Sequence, residues 1–110
     1  MSRQTLGEFE HLTLLAILHL REGAYGAAII DALEDRTGRD VSQAATYIAF
    51  KRLEEKGLIL SGRTPGTPDR GGRRRRTYEL TPDGVRRLRE SGKALFAMWE
   101  GLEQVLESAR

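Results

Sequence analysis

Gly71-Gly72-Arg73-Arg74-Arg75-Arg76-Thr77-Tyr78-Glu79-Leu80-Thr81-Pro82 is the stretch on which the fold turns. Two glycines release the chain, four adjacent guanidiniums follow, and Arg75 to Leu80 reads as the return strand of a hairpin. Thr81 then caps a helix whose first position is a proline, where the missing amide proton is no loss. From Arg63 to Arg76 there are six Arg and one Asp, a local charge of +5 in a chain of net charge +2, so the remainder sums to −3. A positive field concentrated on one shaped element of a slightly acidic body is the footprint of a polyanion-binding surface.

Working outward, Leu58-Ile59-Leu60-Ser61-Gly62-Arg63 reads as the partner strand, with Pro65, Gly66, Pro68, Gly71 and Gly72 making a long hairpin loop. Three helices precede the hairpin. The first is expected over Thr5 to Leu20, opened by the capping-box pattern Thr5-x-x-Glu8 and ended at Gly23. Its apolar positions (Leu6, Phe9, Leu12, Leu14, Leu15, Ile17, Leu18) cover more than one face, which predicts burial by several neighbours. The second is expected from about Ala24 to Thr37 with Gly38 beyond its end, and the third from a Ser42 cap to about Lys56, stopped by Gly57.

At 100° per residue the third helix divides cleanly. Ala45, Thr46, Ala49, Phe50 and Leu53 share an inward arc, whereas Gln43, Ala44, Tyr47, Ile48 and Lys51 share the opposite one, with Arg52 at its edge. The last helix is expected to run from Pro82 almost to the end. Val85, Leu88, Gly92, Leu95, Trp99, Leu102 and Leu106 alternate in steps of three and four along it, a heptad seam that predicts self-association.

The chain has 110 residues, 39% hydrophobic and 31% charged, which bounds it to one ordinary globular domain. It has no cysteine, so disulfides, thiolate metal sites and thiol catalysis are excluded. Met1 to Glu10 lacks the apolar core of a signal peptide, and Leu12 to Leu20 is too short to span a bilayer; a cytoplasmic protein with no membrane partner is expected. His11 and His19 are eight residues apart on one helix, too far to chelate one metal from a single face, and no catalytic set of side chains can be assembled. No enzyme, metal or cofactor is expected.

Helix, helix, short turn, helix, hairpin, helix is the order of a winged helix-turn-helix: mainly α with a small β-hairpin, residues 1–81 forming the DNA-binding part and 82–110 a dimerisation helix of the same domain. The small Ala44 permits close approach to a groove, and Gln43, Tyr47 and Lys51 carry donors for base edges or phosphates. Arginines on the adjacent hairpin would add phosphate or minor-groove contacts. Double-stranded DNA is thus the expected partner. A winged-helix protein-interaction module docking a partner helix through Ile48 and the alanine face is the alternative, and RNA binding is poorly supported because only Tyr78 flanks the arginines.

Three blocks also carry a family resemblance: Ala24-Tyr25-Gly26-Ala27-Ala28-Ile29-Ile30; Val41-Ser42 leading to Thr46-Tyr47 and Lys51-Arg52-Leu53-Glu54-Glu55-Lys56-Gly57-Leu58-Ile59; and Gly71 through Gly84. In this order and spacing the chain resembles a short PadR-type transcriptional regulator over roughly residues 6 to 90. The resemblance implies a homodimeric repressor with its third helix in the major groove, its wing on the backbone and its terminal helix at the dimer interface. Where the family reads Ser-x-Gly-Thr-Leu-Tyr-Pro, this chain has Ser42-Gln43-Ala44-Ala45-Thr46-Tyr47-Ile48, so Ser42 and Tyr47 carry over as phosphate contacts while the rest implies a different operator.

The resulting expectation is a DNA-binding set of Ser42, Gln43, Ala44, Tyr47, Ile48, Lys51, Arg52 and Arg73, Arg74, Arg75 and Arg76. The dimerisation set is Leu6, Phe9, Val85, Leu88, Leu95, Trp99, Leu102 and Leu106. The resemblance further implies release by a small aromatic effector, for which Phe96, Met98 and Trp99 would line a pocket at the dimer interface. Tyr25 and Tyr78 are expected to be structural.

Overall fold

The computed structural model describes residues 6–64 and 75–109. Helix α1 (Glu8–Leu20), α2 (Gly26–Thr37) and α3 (Gln43–Glu55) lead into strands β1 (Ile59–Thr64) and β2 (Arg75–Leu80), followed by α4 (Pro82–Trp99) and a short α5 (Glu103–Ser108). The two strands are antiparallel, running from the pair Ile59↔Leu80 to the pair Thr64↔Arg75. The loop between them, with Arg73 and Arg74, lies outside the described residues. The molecule is mainly helical with one hairpin, the winged helix-turn-helix order that the sequence predicts.

Most termini follow their local signals. The Ser42 Oγ accepts from the Ala45 amide (3.1 Å), and the Thr81 Oγ1 accepts from the Gly84 amide (3.0 Å) with Pro82 at the first helical position. Gly38 and Gly57 adopt φ of 70° and 74°, the left-handed region that only glycine enters freely, and there end α2 and α3. Between α2 and α3, Glu34 Oε2 accepts from the Val41 amide at 3.0 Å, tying the turn to the helix before it.

Two helix starts differ from expectation, and the turn after α1, which ends at Leu20 as expected, is made by a residue other than Gly23. Helix α1 begins at Glu8, not Thr5: the Gly7 amide donates to Glu10 Oε1 (3.0 Å), and Thr5 lies outside the described residues. The capping-box pattern favours Thr5, whose hydroxyl Gly7 lacks; Glu10 reaching back to the Gly7 amide supplies half of such a box without it. The far end of α1 turns at Arg21, whose φ of 54° is positive, before a 3-10 turn reaches Gly23; α2 then starts at Gly26 and not Ala24. That delay has a cause: the Tyr78 amide donates to the Ala24 carbonyl (2.8 Å) and Tyr25 forms an isolated bridge with Thr77, so these two residues are held extended beside β2.

The largest correction concerns the last helix. It does not continue to the terminus but ends at Trp99, where Gly101 takes φ of 86° and α5 restarts at Glu103. The three-four spacing of leucines continues across this break, so periodicity did not reveal it; a glycine free to enter the left-handed region did the breaking.

The core gathers Leu14, Ile17, Ile29, Leu33, Phe50, Leu53, Leu58, Ile59, Tyr78 and Leu88. Helix α1 packs against α2, α3, α4 and β2, which accounts for its broad apolar surface. Two threonines are fully buried on it and on α3. Thr13 donates to the Phe9 carbonyl (2.7 Å) and Thr46 to the Ser42 carbonyl (2.7 Å), so neither hydroxyl is left unsatisfied. The radius of gyration, 16.2 Å, exceeds the ~13 Å of a compact domain of this size.

Candidate nucleic-acid interface

Helix α3 is held by Thr46, Ala49, Phe50 and Leu53, all buried, which turns the opposite side outward; Ala45, expected on the inward arc, lies at its edge and is exposed. Ser42, Gln43, Ala44, Lys51 and Arg52 are exposed there, with Tyr47 at 43% and Ile48 at 53%. The hairpin is set against this helix by an aromatic stack. Tyr78 of β2 lies 4.3 Å from Phe50 of α3, centroid to centroid, and burial raises the Tyr78 pKa above its ordinary value. Arg76 shares the face of Tyr78 on β2 but lies beyond the core and is exposed, whereas Arg75 and Thr77, on the other face, are half-buried.

Tyr47 is neither free nor buried. Its ring meets Phe50 edge-on at 5.2 Å, and its hydroxyl lies over Gly26, where a Cβ would stand only 2.2 Å from the oxygen. Tyr25, Gly26, Ala27, Tyr47, Arg75, Arg76 and Tyr78 together line a cleft of about 400 Å³ between the start of α2, α3 and the hairpin. Inside it the Arg75 guanidinium stacks 4.0 Å above the Tyr25 ring, a cation–π contact. Tyr47, Arg75 and Arg76 of the expected DNA-binding set are therefore neighbours, joined by Tyr25 and Gly26, which the sequence reading left out of that set.

Ile48, Arg52 and Lys56 face another groove, between α3 and the start of α1, with Gly7, Phe9 and Glu10 on its far wall. The carboxylates here are engaged. Glu10 is 2.8 Å from Lys56 Nζ, and Glu8 pairs with Arg39 through two hydrogen bonds of 3.1 and 3.2 Å. Burial pushes the Glu10 carboxyl upward, but Lys56, the Gly7 amide and Arg52 outweigh it and hold its pKa below the usual value.

The dimerisation set is divided. Leu88 belongs to the chain's own core, Leu6 and Phe9 are half-buried against that core, and Val85 is half-buried. Leu95, Trp99, Leu102 and Leu106 are exposed, as are Phe96 at 79%, Met98 at 76% and Val105. A groove of about 600 Å³ runs between α1 and α4, lined by His11, Leu15, Leu88, Leu95, Phe96 and Trp99, with Arg89 and Lys93 at its margin. Met98 does not line it. His11 Nδ1 lies 2.8 Å from Ser91 Oγ, which ties α1 to α4. Among the described residues no group of His, Asp and Glu could hold a metal ion, and no helix is long and apolar enough to cross a membrane.

The Gly26 contact yields a separable prediction. Gly26→Ala should displace Tyr47 from the cleft while leaving the fold intact, because the obstructing atom is the far end of a movable side chain. DNA affinity should fall about tenfold with the thermal midpoint little changed; a large drop in the midpoint at unchanged affinity would refute this account.

A profile described as the transcriptional regulator PadR-like family matches residues 14–90. No curated protein matches the chain significantly. Among solved structures, a PadR family transcriptional regulator from Eggerthella lenta is 32% identical, covering 93% of this chain and 88% of its own, with a TM-score of 0.67. One from hypervirulent Clostridium difficile is 26% identical over 87% of this chain and 98% of its own (TM-score 0.68). PadR of Bacillus subtilis, solved in complex with operator DNA, is 22% identical over 74% of this chain and 45% of its own (TM-score 0.57).

Proposed function

Because the chain belongs to the PadR-like family of transcriptional regulators, winged-helix DNA-binding proteins and not enzymes, we propose that it is a cytoplasmic homodimeric repressor of a neighbouring operon, bound to a specific operator and released by a small-molecule effector. One observation carries the DNA-binding part. Tyr47 of the outward face of α3 and Arg75 and Arg76 of β2 meet across the Tyr25–Gly26 cleft, which supports a single surface for base reading and phosphate binding. In this reading Gln43, Ala44, Tyr47 and Ile48 approach base edges. Ser42, Lys51, Arg52 and the run from Arg73 to Arg76 engage the backbone, with Tyr47 adding a phosphate contact through its hydroxyl.

The exposed apolar side chains of Leu95, Phe96, Met98 and Trp99 on α4, and of Leu102, Val105 and Leu106 after the break, support the dimer, since a second copy would remove them from water. The break at Gly101 divides that interface into an α4 part and an α5 part. The Phe96–Trp99 groove supports an effector with a flat aromatic body, stacked between apolar walls. Titrating planar aromatic compounds while following Trp99 emission tests the effector; a silent response across a broad panel rejects it.

A gel shift against the duplex upstream of the protein's own gene, titrated with salt, tests the central reading. A shift that survives competitor DNA at moderate salt is expected, with half-sites spaced by whole helical turns. Binding no tighter than to unrelated duplex would reject the operator and move the reading to a protein partner.

A further inference from the structure

In the amino-terminal half of α3 the middle of the outward face is not polar. Ala44 and Ile48 lie there between Gln43 and Tyr47 on one side and Arg52 on the other, and the charged Lys51 and Glu55 take the middle only further along the helix. Isoleucine is among the residues most often fully buried, yet Ile48 is 53% exposed and contributes to no part of the core. A β-branched side chain on a helix has essentially one χ1 rotamer, so this apolar knob is held in a fixed direction at little entropic cost. Glu55 shares the same arc two turns further on and is exposed; its charge repels phosphates at the last turn only, beyond Lys51 and Arg52. The amino-terminal half, Gln43 to Ile48, is thus the part that can approach bases closely.

The thymine 5-methyl is the one apolar group that base edges present in the major groove. From this match we propose that Ile48 reads a thymine methyl, and that the small Ala44 gives the helix the depth to reach it. Every half-site of the operator then carries a thymine at the position under Ile48. Ala44 and Ile48 are separated by about 6 Å along the helix axis. At about 3.4 Å per base pair, Ala44 faces a base pair about two steps away. The inference rests on the DNA-binding reading above and adds to it the identity of one base.

Duplexes enriched from a random pool by the wild-type protein provide the probe. Each thymine is replaced singly by deoxyuridine, which lacks the methyl group and keeps every hydrogen-bonding group. One thymine per half-site should show an affinity loss of about fourfold on losing its methyl, the equivalent of one buried CH₂ group. Ile48→Ala should abolish that difference, Ile48→Val should retain part of it, and neither should alter the salt dependence, because no phosphate contact is removed. Ile48 supports no core packing, so both variants should melt like the wild type.

Equal binding of all deoxyuridine duplexes by the wild type overturns the proposal while leaving specific DNA binding standing. So does a methyl effect that persists undiminished in Ile48→Ala. Failure to enrich any sequence is a different result and overturns both readings; capture of Ile48 by a protein partner would appear in this way.

Discussion

Replacing Arg73, Arg74, Arg75 and Arg76 together by alanine is expected to lower operator affinity by roughly a hundred- to a thousandfold near physiological salt. It should also flatten the salt dependence. Each phosphate contact contributes about 0.9 to the slope of log K against log salt, so four contacts remove up to about 3.6 from it. Arg76 is exposed on β2 and Arg75 stacks on Tyr25, so the guanidinium of Arg75 also holds the hairpin to the start of α2. Arg75→Ala alone should therefore add a small stability loss, about 0.5–1 kcal/mol, to its share of the affinity loss. At high salt, wild-type and variant affinities should converge, because the term removed is counterion release and not base readout. Measuring the slope by fluorescence anisotropy settles the matter: an unchanged slope would remove the arginines from the interface.

Gly84→Ala should produce the largest loss of stability. In the middle of an exposed helix this substitution is favourable by about 0.5–1 kcal/mol, because glycine has more freedom to lose. Here the sign reverses. A Cβ at Gly84 would lie 2.1 Å from the Leu58 carbonyl oxygen and 3.0 Å from its carbon. That carbonyl accepts from the Thr81 amide at 3.0 Å, and the Thr81 hydroxyl donates to the Gly57 carbonyl at 2.7 Å, so the backbone cannot retreat without opening the junction of α3, β1 and α4. A loss of about 2–4 kcal/mol is expected, seen as a fall in melting temperature on the order of 10–20 °C. Gly92, also within α4, has nothing within 4 Å of its would-be Cβ, so Gly92→Ala is the control and should not destabilise. Similar melting of the two variants would contradict the close approach at Leu58.

Much of the fold was legible in the chain because its signals are local. Ser42, Thr81-Pro82, Gly38 and Gly57 act on backbone groups within a few residues of themselves, and the strand Arg75–Leu80 is bounded by the glycines before it and the capped helix after it. Local patterns failed where two neighbouring solutions satisfied them equally. The leucine spacing around Gly101 was such a case, suiting one helix or two, while at the start of α1 the capping-box pattern pointed to Thr5 where a glycine serves. The family membership was legible through three ordered blocks of sequence, and the outward face of α3 through its 100° periodicity.

The organisation of the candidate interface was not. By itself the sequence determined the order of helices and strands, the caps that end them, the side of α3 that faces out and the concentration of positive charge on the hairpin. Only the tertiary structure decided that Tyr47 rests on Gly26, that Arg75 stacks on Tyr25, that Leu88 is held in the core and that Gly84 must remain without a side chain. Each of these facts depends on residues tens of positions apart being brought within a few ångströms. Caps and periodicity act through adjacent peptide units, whereas such distant contacts follow from how whole elements share one limited core.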